Sequence, residues 1–414
     1  MSYSFSLVRE CRHDLAQRKL FKARGISMLD IANIGPEGRL LVLAVRARRT
    51  DEETAELRAL LDELGIDTAR AIARRNQVEA LVGATLREVI GSDVLSASWR
   101  SLIDDNGRRV QDLVDLAAEV TASLAERGCP CVAIEGGGVL LGSELPFEAY
   151  CSSDVDLLVP AGRLDELDAV AVSLGGTKAE RGPRTLRTKY MWTRAGSSPL
   201  WLEACDRPFD RNWVALPCSD RWHHWLERRC QATRAPGAEV LDASDAVVLV
   251  AMHTSLHAFV LPPGIRLHVD VDRLVTDNAI DWDRVVVEAR ELGAPTRVFV
   301  SLALARSLMG TRVPLEVLDA LAPSALRHDA IERLLEKEGI MSDGPKLRGI
   351  RRAGLDLLID DRGTVPWFLA LVFPPVDWTR EHFGHPSEAT VRCYARRMQA
   401  IATRGLARTW GQPS

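Results

Sequence analysis

Between residues 51 and 127 apolar side chains recur at intervals of three and four, in ETAELRALLDELG, DTARAIARRNQVEALVGATLREVI and NGRRVQDLVDLAAEVTASLAERG. That period predicts amphipathic helices, each closing on Gly or a polar turn. Ahead of them, RLLVLAVRA is a short continuous apolar run beside Gly35, Pro36 and Gly38. It reads as a strand candidate next to a loop. At Pro130 the period changes. CVAIEGGGVLLG reads as a buried strand, a glycine turn and a helix start, and SSDVDLLVP as a second strand. RLDELDAVAVSLGG follows as a helix ending at Gly175 and Gly176, with TLRTKYMWTR and PLWLEACD as further strands. From SDAVVLVAMHTSLHAFVL onward the helical period returns through RLHVDVDRLVTD, DWDRVVVEARELG and TRVFVSLALARSLMG, broken by Pro262, Pro263, Gly264 and Pro295.

The pattern therefore predicts an α/β (α+β) core of mixed sheet flanked by helical domains on both sides. The expected units are 1–115, mostly helical; 116–240, the core; and 241–414, helical. No internal repeat or low-complexity linker interrupts them. A length of 414 residues fits two or three such units.

Composition narrows the partners. Hydrophobic residues are 46% and charged residues 27% of the chain, ordinary for a protein that folds throughout. The net charge of -4 argues against a general hold on nucleic acid or an anionic membrane. DNA is not expected as a partner, and an RNA site would have to be local. No run approaches the roughly 20 apolar residues of a membrane helix, and the first 25 residues carry charges without an apolar signal core. The expectation is a cytoplasmic protein without a membrane partner. Eight Cys are scattered without a CxxC pair and read as reduced thiols.

The chemistry concentrates in one stretch. Gly136-Gly137-Gly138 precedes Ser152-Ser153-Asp154-Val155-Asp156-Leu157-Leu158-Val159, and Glu203 follows within Leu200-Trp201-Leu202-Glu203. On a strand, side chains two apart share a face, so Asp154 and Asp156 point together while Val155 and Leu157 enter the core. Two such carboxylates repel and call for a cation. Their hard oxygens suit Mg²⁺, and Glu203 completes the ligand set if its strand lies alongside.

These residues resemble the nucleotidyltransferase superfamily with the polymerase-beta-like core, whose pattern is a Gly-Gly or Gly-Ser turn, an Asp-x-Asp strand and a third carboxylate on a later strand. More narrowly, the ordered set LAERGCPCVAIEGGGVL, SSDVDLLV, WLEACD, HTSLHAF, RLHVDVDRLVTDNAIDWDRVV and LVFPPVDW is similar to an uncharacterised bacterial nucleotidyltransferase family, over roughly residues 67 to 385. The resemblance implies Mg²⁺-dependent transfer of a nucleoside monophosphate from an NTP to an acceptor hydroxyl or phosphate. Asp154 and Asp156 would hold one or two metal ions, with Glu203 as third ligand or base. Gly136, Gly137, Ser152 and Ser153 would hold the triphosphate, with the following helix start. Relatives commonly carry Lys before the glycine turn, where this chain has Glu135. They carry Arg before the Asp-x-Asp, where Tyr150 and Cys151 stand, and an apolar residue and His after the third carboxylate, where Ala204 and Cys205 stand. Lys189 and Arg187 are candidates for the missing cation.

The acceptor stays open between a small molecule, a peptide, a protein hydroxyl and an RNA end. Two other readings remain: a protein that keeps the fold and binds a nucleotide or partner without catalysis, for which Glu135 speaks, and a phosphotransferase that moves the γ-phosphate. Outside the core, His253 and His257 lie four apart on a predicted helix and read as packed or substrate-facing. His223 and His224 read as an edge of the core, and His382 and His385 as surface polar residues. Asp270 and Asp272 sit in a helical pattern, where positions two apart diverge by about 200°. Arg348, Arg351, Arg352, Arg392, Arg396 and Arg397 read as a solvated helix face.

Overall fold

The computed structural model describes residues 34–409, apart from 153, 180–186, 194–197, 210–220, 236, 262–263, 339–349, 362–375, 377–378 and 381–389. The N-terminal helices are α1 (Gly35–Val45), α2 (Asp51–Leu64), α3 (Ile66–Arg75), α4 (Glu79–Ile90) and α5 (Ala97–Glu126). α2 starts on a capping box: the Thr50 hydroxyl accepts from Glu53 N–H while the Glu53 carboxylate accepts from Thr50 N–H. α1 corrects the strand expected at RLLVLAVRA. Leu40 to Val45 are buried on every side of the helix, so the run has no polar face, and a short apolar run without periodicity does not distinguish strand from buried helix.

The core follows as β1 (Val132–Ile134), α6 (Glu135–Leu141), β2 (Asp154–Leu158), α7 (Leu164–Ser173), β3 (Thr177–Lys178), β4 (Thr188–Trp192), β5 (Leu200–Cys205), α8 (Arg221–Glu227), β6 (Cys230–Gln231) and β7 (Glu239–Val240). The strands form one mixed sheet in the order β3-β4-β5-β2-β1-β7-β6. β2 and β5 are parallel neighbours at its centre, and β1 and β4 pair with them antiparallel. One sheet face is apolar, with Val155, Leu157, Leu202, Ala204 and Tyr190 buried, and it packs on α5 and α7. The opposite face carries the acids, and α6 packs on β1 and β2.

The C-terminal helices are α9 (Ala243–Leu256), α10 (Ile265–Asp277), α11 (Trp282–Glu291), α12 (Pro295–Met309), α13 (Leu315–Leu321), α14 (Ala325–Glu338), α15 (Ile350–Leu358) and α16 (Thr390–Thr409). α9 and α10 pack directly on α6. A single apolar cluster extends from Leu40 to Ile359 through helices and sheet alike. The boundary expected at 115 falls inside α5, which runs unbroken from Ala97 to Glu126, so no break in the chain marks it. Among the described residues no helix is long and apolar enough to cross a membrane, and the cysteines are unpaired.

Candidate active site

The register of the sheet builds the site. Asp156 on β2 pairs in register with Glu203 on β5, and Asp154 with Trp201. Lys189 on β4 pairs in turn with Glu203. Because paired residues and residues two apart share a face, Asp154, Asp156, Glu203 and Lys189 stand on one side of the sheet. The three acids expected to converge are thus brought to one patch.

Side-chain cations balance them. Arg187, just before β4, donates through Nη1 to Asp156 Oδ1 and through both Nη atoms to Glu135, the Nη1–Oε2 contact being 3.1 Å. Lys189 is ion-paired with Glu203. Arg187 and Lys189, considered as cations for a phosphate, therefore serve as counter-ions of the carboxylates. Burial raises the Asp156 pKa well above the carboxylate range, and the nearby Glu135, Asp154 and Glu203 charges add to that, against the opposing pull of Arg187. The carboxylates are hard-oxygen donors of the kind a divalent cation takes, but Arg187 and Lys189 pair with Asp156 and Glu203, and the ligand atoms of Asp154, Asp156 and Glu203 are not gathered within 4.8 Å of one another.

Glu135 is the first residue of α6 and has a left-handed backbone, φ 54°, a conformation that costs a non-glycine residue about 1–2 kcal/mol. The turn drives its carboxylate inward, where it is buried between Arg187 and His253, whose Nδ1 lies 2.6 Å from Oε2. Burial alone would raise its pKa, but Arg187 and His253 outweigh that and hold it below the usual range. The negative charge that spoke for a non-catalytic protein is thus absorbed within the fold. His253 on α9 is packed against Glu135, and its ring sits 5.1 Å from that of His257.

The glycines prove to be helical, occupying the first turns of α6 in place of a free turn. A Cβ at Gly138 would lie 2.7 Å from Ala133 O, and one at Gly137 would lie 3.1 Å from Asp156 N and Val155 Cα. Both glycines let α6 press against the sheet. Gly136 is turned towards α10: a Cβ there would lie 3.5 Å from Arg266 Nη2 and 3.7 Å from Asp270 Oδ2. Of the three, it is the one where a Cβ would make only ordinary contacts.

Ser152 does not match its expected role as a phosphate donor. Its buried hydroxyl donates to Asp154 O at 2.8 Å, and its carbonyl accepts from Arg109. That hydrogen is spent on shaping the strand entry. Ser153, with His382, His385 and Arg348, lies outside the described residues, as does the side chain of His223. His224 is exposed beside Glu227.

On α10 the two acids diverge as the helical period requires. Asp272 accepts from Ala47 N–H and Thr311 Oγ1, whereas Asp270 turns towards Gly136. In the C-terminal arginine group, Arg392 and Arg396 are exposed, but Arg397 is buried and Arg352 donates to Leu256 O. The solvated face is therefore only partial. Among the described residues, His328, Asp329 and Glu332 on α14 bring three ligand atoms within 4.8 Å of one another, away from the sheet.

The pattern of the family described as uncharacterised nucleotidyltransferase matches residues 62–310, more than half of the chain. The chain belongs to this family. The matched span runs from the end of α2 to the end of α12 and includes every residue of the acidic patch. No curated protein matches the sequence.

Two arginines that the sequence reading did not single out share a cavity. Arg109 on α5 and Arg266 on α10 line a cavity of about 1010 Å³ together with the acids Glu79, Asp105 and Asp112. Each comes from a helix remote in sequence from the Asp-x-Asp strand. Only the packed fold brings them to one cavity, a juxtaposition with no local signature.

Proposed function

We propose that this protein transfers a nucleoside monophosphate from an NTP to an acceptor hydroxyl or phosphate, at the face of the sheet formed by β2 and β5, in the manner of the polymerase-beta-like superfamily. The observation that carries the reading is the in-register pairing of Asp156 with Glu203, with Asp154 two residues away on the same face. Asp154, Asp156 and Glu203 would hold Mg²⁺, which when bound neutralises charge on the attacking and leaving oxygens. The acceptor oxygen attacks the α-phosphorus, the bond from that phosphorus to the bridging oxygen breaks, and pyrophosphate leaves. Glu203 lies beside Asp156 and is suited to take or orient the acceptor proton. Gly136 offers bare backbone to the phosphates. Arg187 holds Asp156 and Glu135 in place, and Lys189 does the same for Glu203.

The acceptor is proposed only as a hydroxyl- or phosphate-bearing molecule, and a cytoplasmic setting suits an NTP substrate. Thermal melting with each NTP, with and without Mg²⁺, tests the reading. Metal-dependent stabilisation that disappears when Asp154 and Asp156 are both replaced by Ala supports it. Stabilisation by none of the NTPs contradicts it.

A further inference from the structure

His328 lies in the first turn of α14, and its side chain is only 4% exposed. Its ring packs edge-on against Phe299 of α12, the two centroids 5.5 Å apart. The Nδ1 atom is buried and has no hydrogen-bond partner among the described residues. A buried polar nitrogen in that state is costly and calls for a ligand or a reason. What it meets is a carboxylate: Asp329 Oδ1 lies 3.8 Å from Nδ1, beyond the reach of a hydrogen bond. Glu332 stands four residues after His328, on the same helix face, and one ligand atom from each of the three lies within 4.8 Å of the others. Two ligands of a tetrahedral ion, with bonds of about 2.0–2.2 Å, sit about 3.4 Å apart. The gap between Nδ1 and Oδ1 is close to that separation. The Asp329 side chain is 45% exposed and Glu332 is partly so, which leaves both carboxylates room to turn inward while Phe299 keeps the imidazole in place.

We propose that His328, Asp329 and Glu332 bind one divalent transition-metal ion of the Zn²⁺ class, as a clip on the first turns of α14. The donor set selects the ion. Mg²⁺ and Ca²⁺ take oxygen ligands, whereas a neutral imidazole with carboxylates suits Zn²⁺ and its neighbours in the first row. Three protein ligands leave at least one position for water, which the partly exposed carboxylates admit. The site shares no residue with the acids of the sheet and stands whether or not nucleotide is transferred there. Its effect on the fold follows from what α14 already holds. Arg327, next to His328, donates to Leu358 O and Asp361 Oδ1 at the end of α15, and Asp361 in turn accepts from Thr296 at the start of α12. An ion joining His328 to Glu332 fixes the turn that carries these contacts.

Calorimetric titration of the full chain with Zn²⁺ in the presence of excess Mg²⁺ tests this. The expected result is Zn²⁺ binding that Mg²⁺ does not displace, that weakens about tenfold or more in Asp329→Asn and in Glu332→Gln through loss of a ligand, and that is unchanged in Glu203→Gln on the sheet. Zn²⁺ should also raise the melting temperature of the parent and leave those of the two variants where they are. His328→Phe keeps an aromatic ring against Phe299 and should abolish the binding. The two carboxylate variants lie at partly exposed positions and decide the matter if that buried replacement fails to fold. Absence of Zn²⁺ binding, its loss in excess Mg²⁺, or undiminished binding in both Asp329→Asn and Glu332→Gln overturns the proposal. Loss of the binding in Glu203→Gln also overturns it, assigning the ion to the sheet.

Discussion

Glu135 and His253 meet at 2.6 Å across the contact between α6 and α9, tying the start of the glycine helix to the C-terminal helices. The same carboxylate is bound by Arg187, which also holds Asp156. One buried acid thereby links β2, β4, α6 and α9.

Removing that acid should unsettle the whole core. Glu135→Gln leaves the Arg187 charge buried with one acid fewer, and breaking a buried pair of this kind costs about 3–5 kcal/mol. Denaturant unfolding monitored by tryptophan fluorescence should show a lower midpoint with the slope unchanged.

The pH dependence has a definite sign. Glu135 has a lowered pKa in the folded protein, so its contribution to stability is complete above the ordinary carboxylate range and is lost as pH falls towards the folded value. Melting temperatures measured downward from neutral pH should fall more steeply in the parent than in Glu135→Gln. Asp156 acts in the opposite sense, because its pKa is raised: it stabilises the fold less as pH rises and it ionises. Asp156→Asn should therefore lose little stability at neutral pH.

The three glycines should separate in mutagenesis. Gly138→Ala places a methyl 2.7 Å from the Ala133 carbonyl oxygen, a backbone clash that should cost about 1–3 kcal/mol. Gly136→Ala meets only ordinary contacts and should melt like the parent while weakening NTP binding. Equal stability losses at both positions would contradict the ordinary contacts assigned to Gly136.

Lys189 should be separable from the fold as well. Its side chain is 42% exposed, and a pair of that exposure contributes about 0–1 kcal/mol. Lys189→Met should melt close to the parent and, by freeing Glu203, should bind Mn²⁺ several-fold more tightly in calorimetry.

Much of this was legible in the sequence, for a physical reason. Asp154, Asp156 and Glu203 lie on strands whose period of two declares which side chains share a face, and the helices on either side repeat at three and four. The run from Leu40 to Val45 was misread because full burial erases the polar face on which periodicity depends. The glycines were placed in a free turn, but Gly137 and Gly138 are there so that α6 can approach β2 and β1, a need set by the partner strands. The Glu135–Arg187–His253 network joins residues from three elements. Such contacts exist only after the chain has packed, and no spacing along it announces them.

The most direct measurement of the central claim uses the full-length protein with NTPs labelled separately at the α- and γ-phosphates, Mg²⁺ and cell extract. The account predicts that the α-label reaches an acceptor, that pyrophosphate is released, and that transfer falls on the order of a hundredfold or more in Asp154→Asn and Asp156→Asn. Transfer of the γ-label with release of a nucleoside diphosphate, or α-label transfer undiminished in both variants, would contradict it.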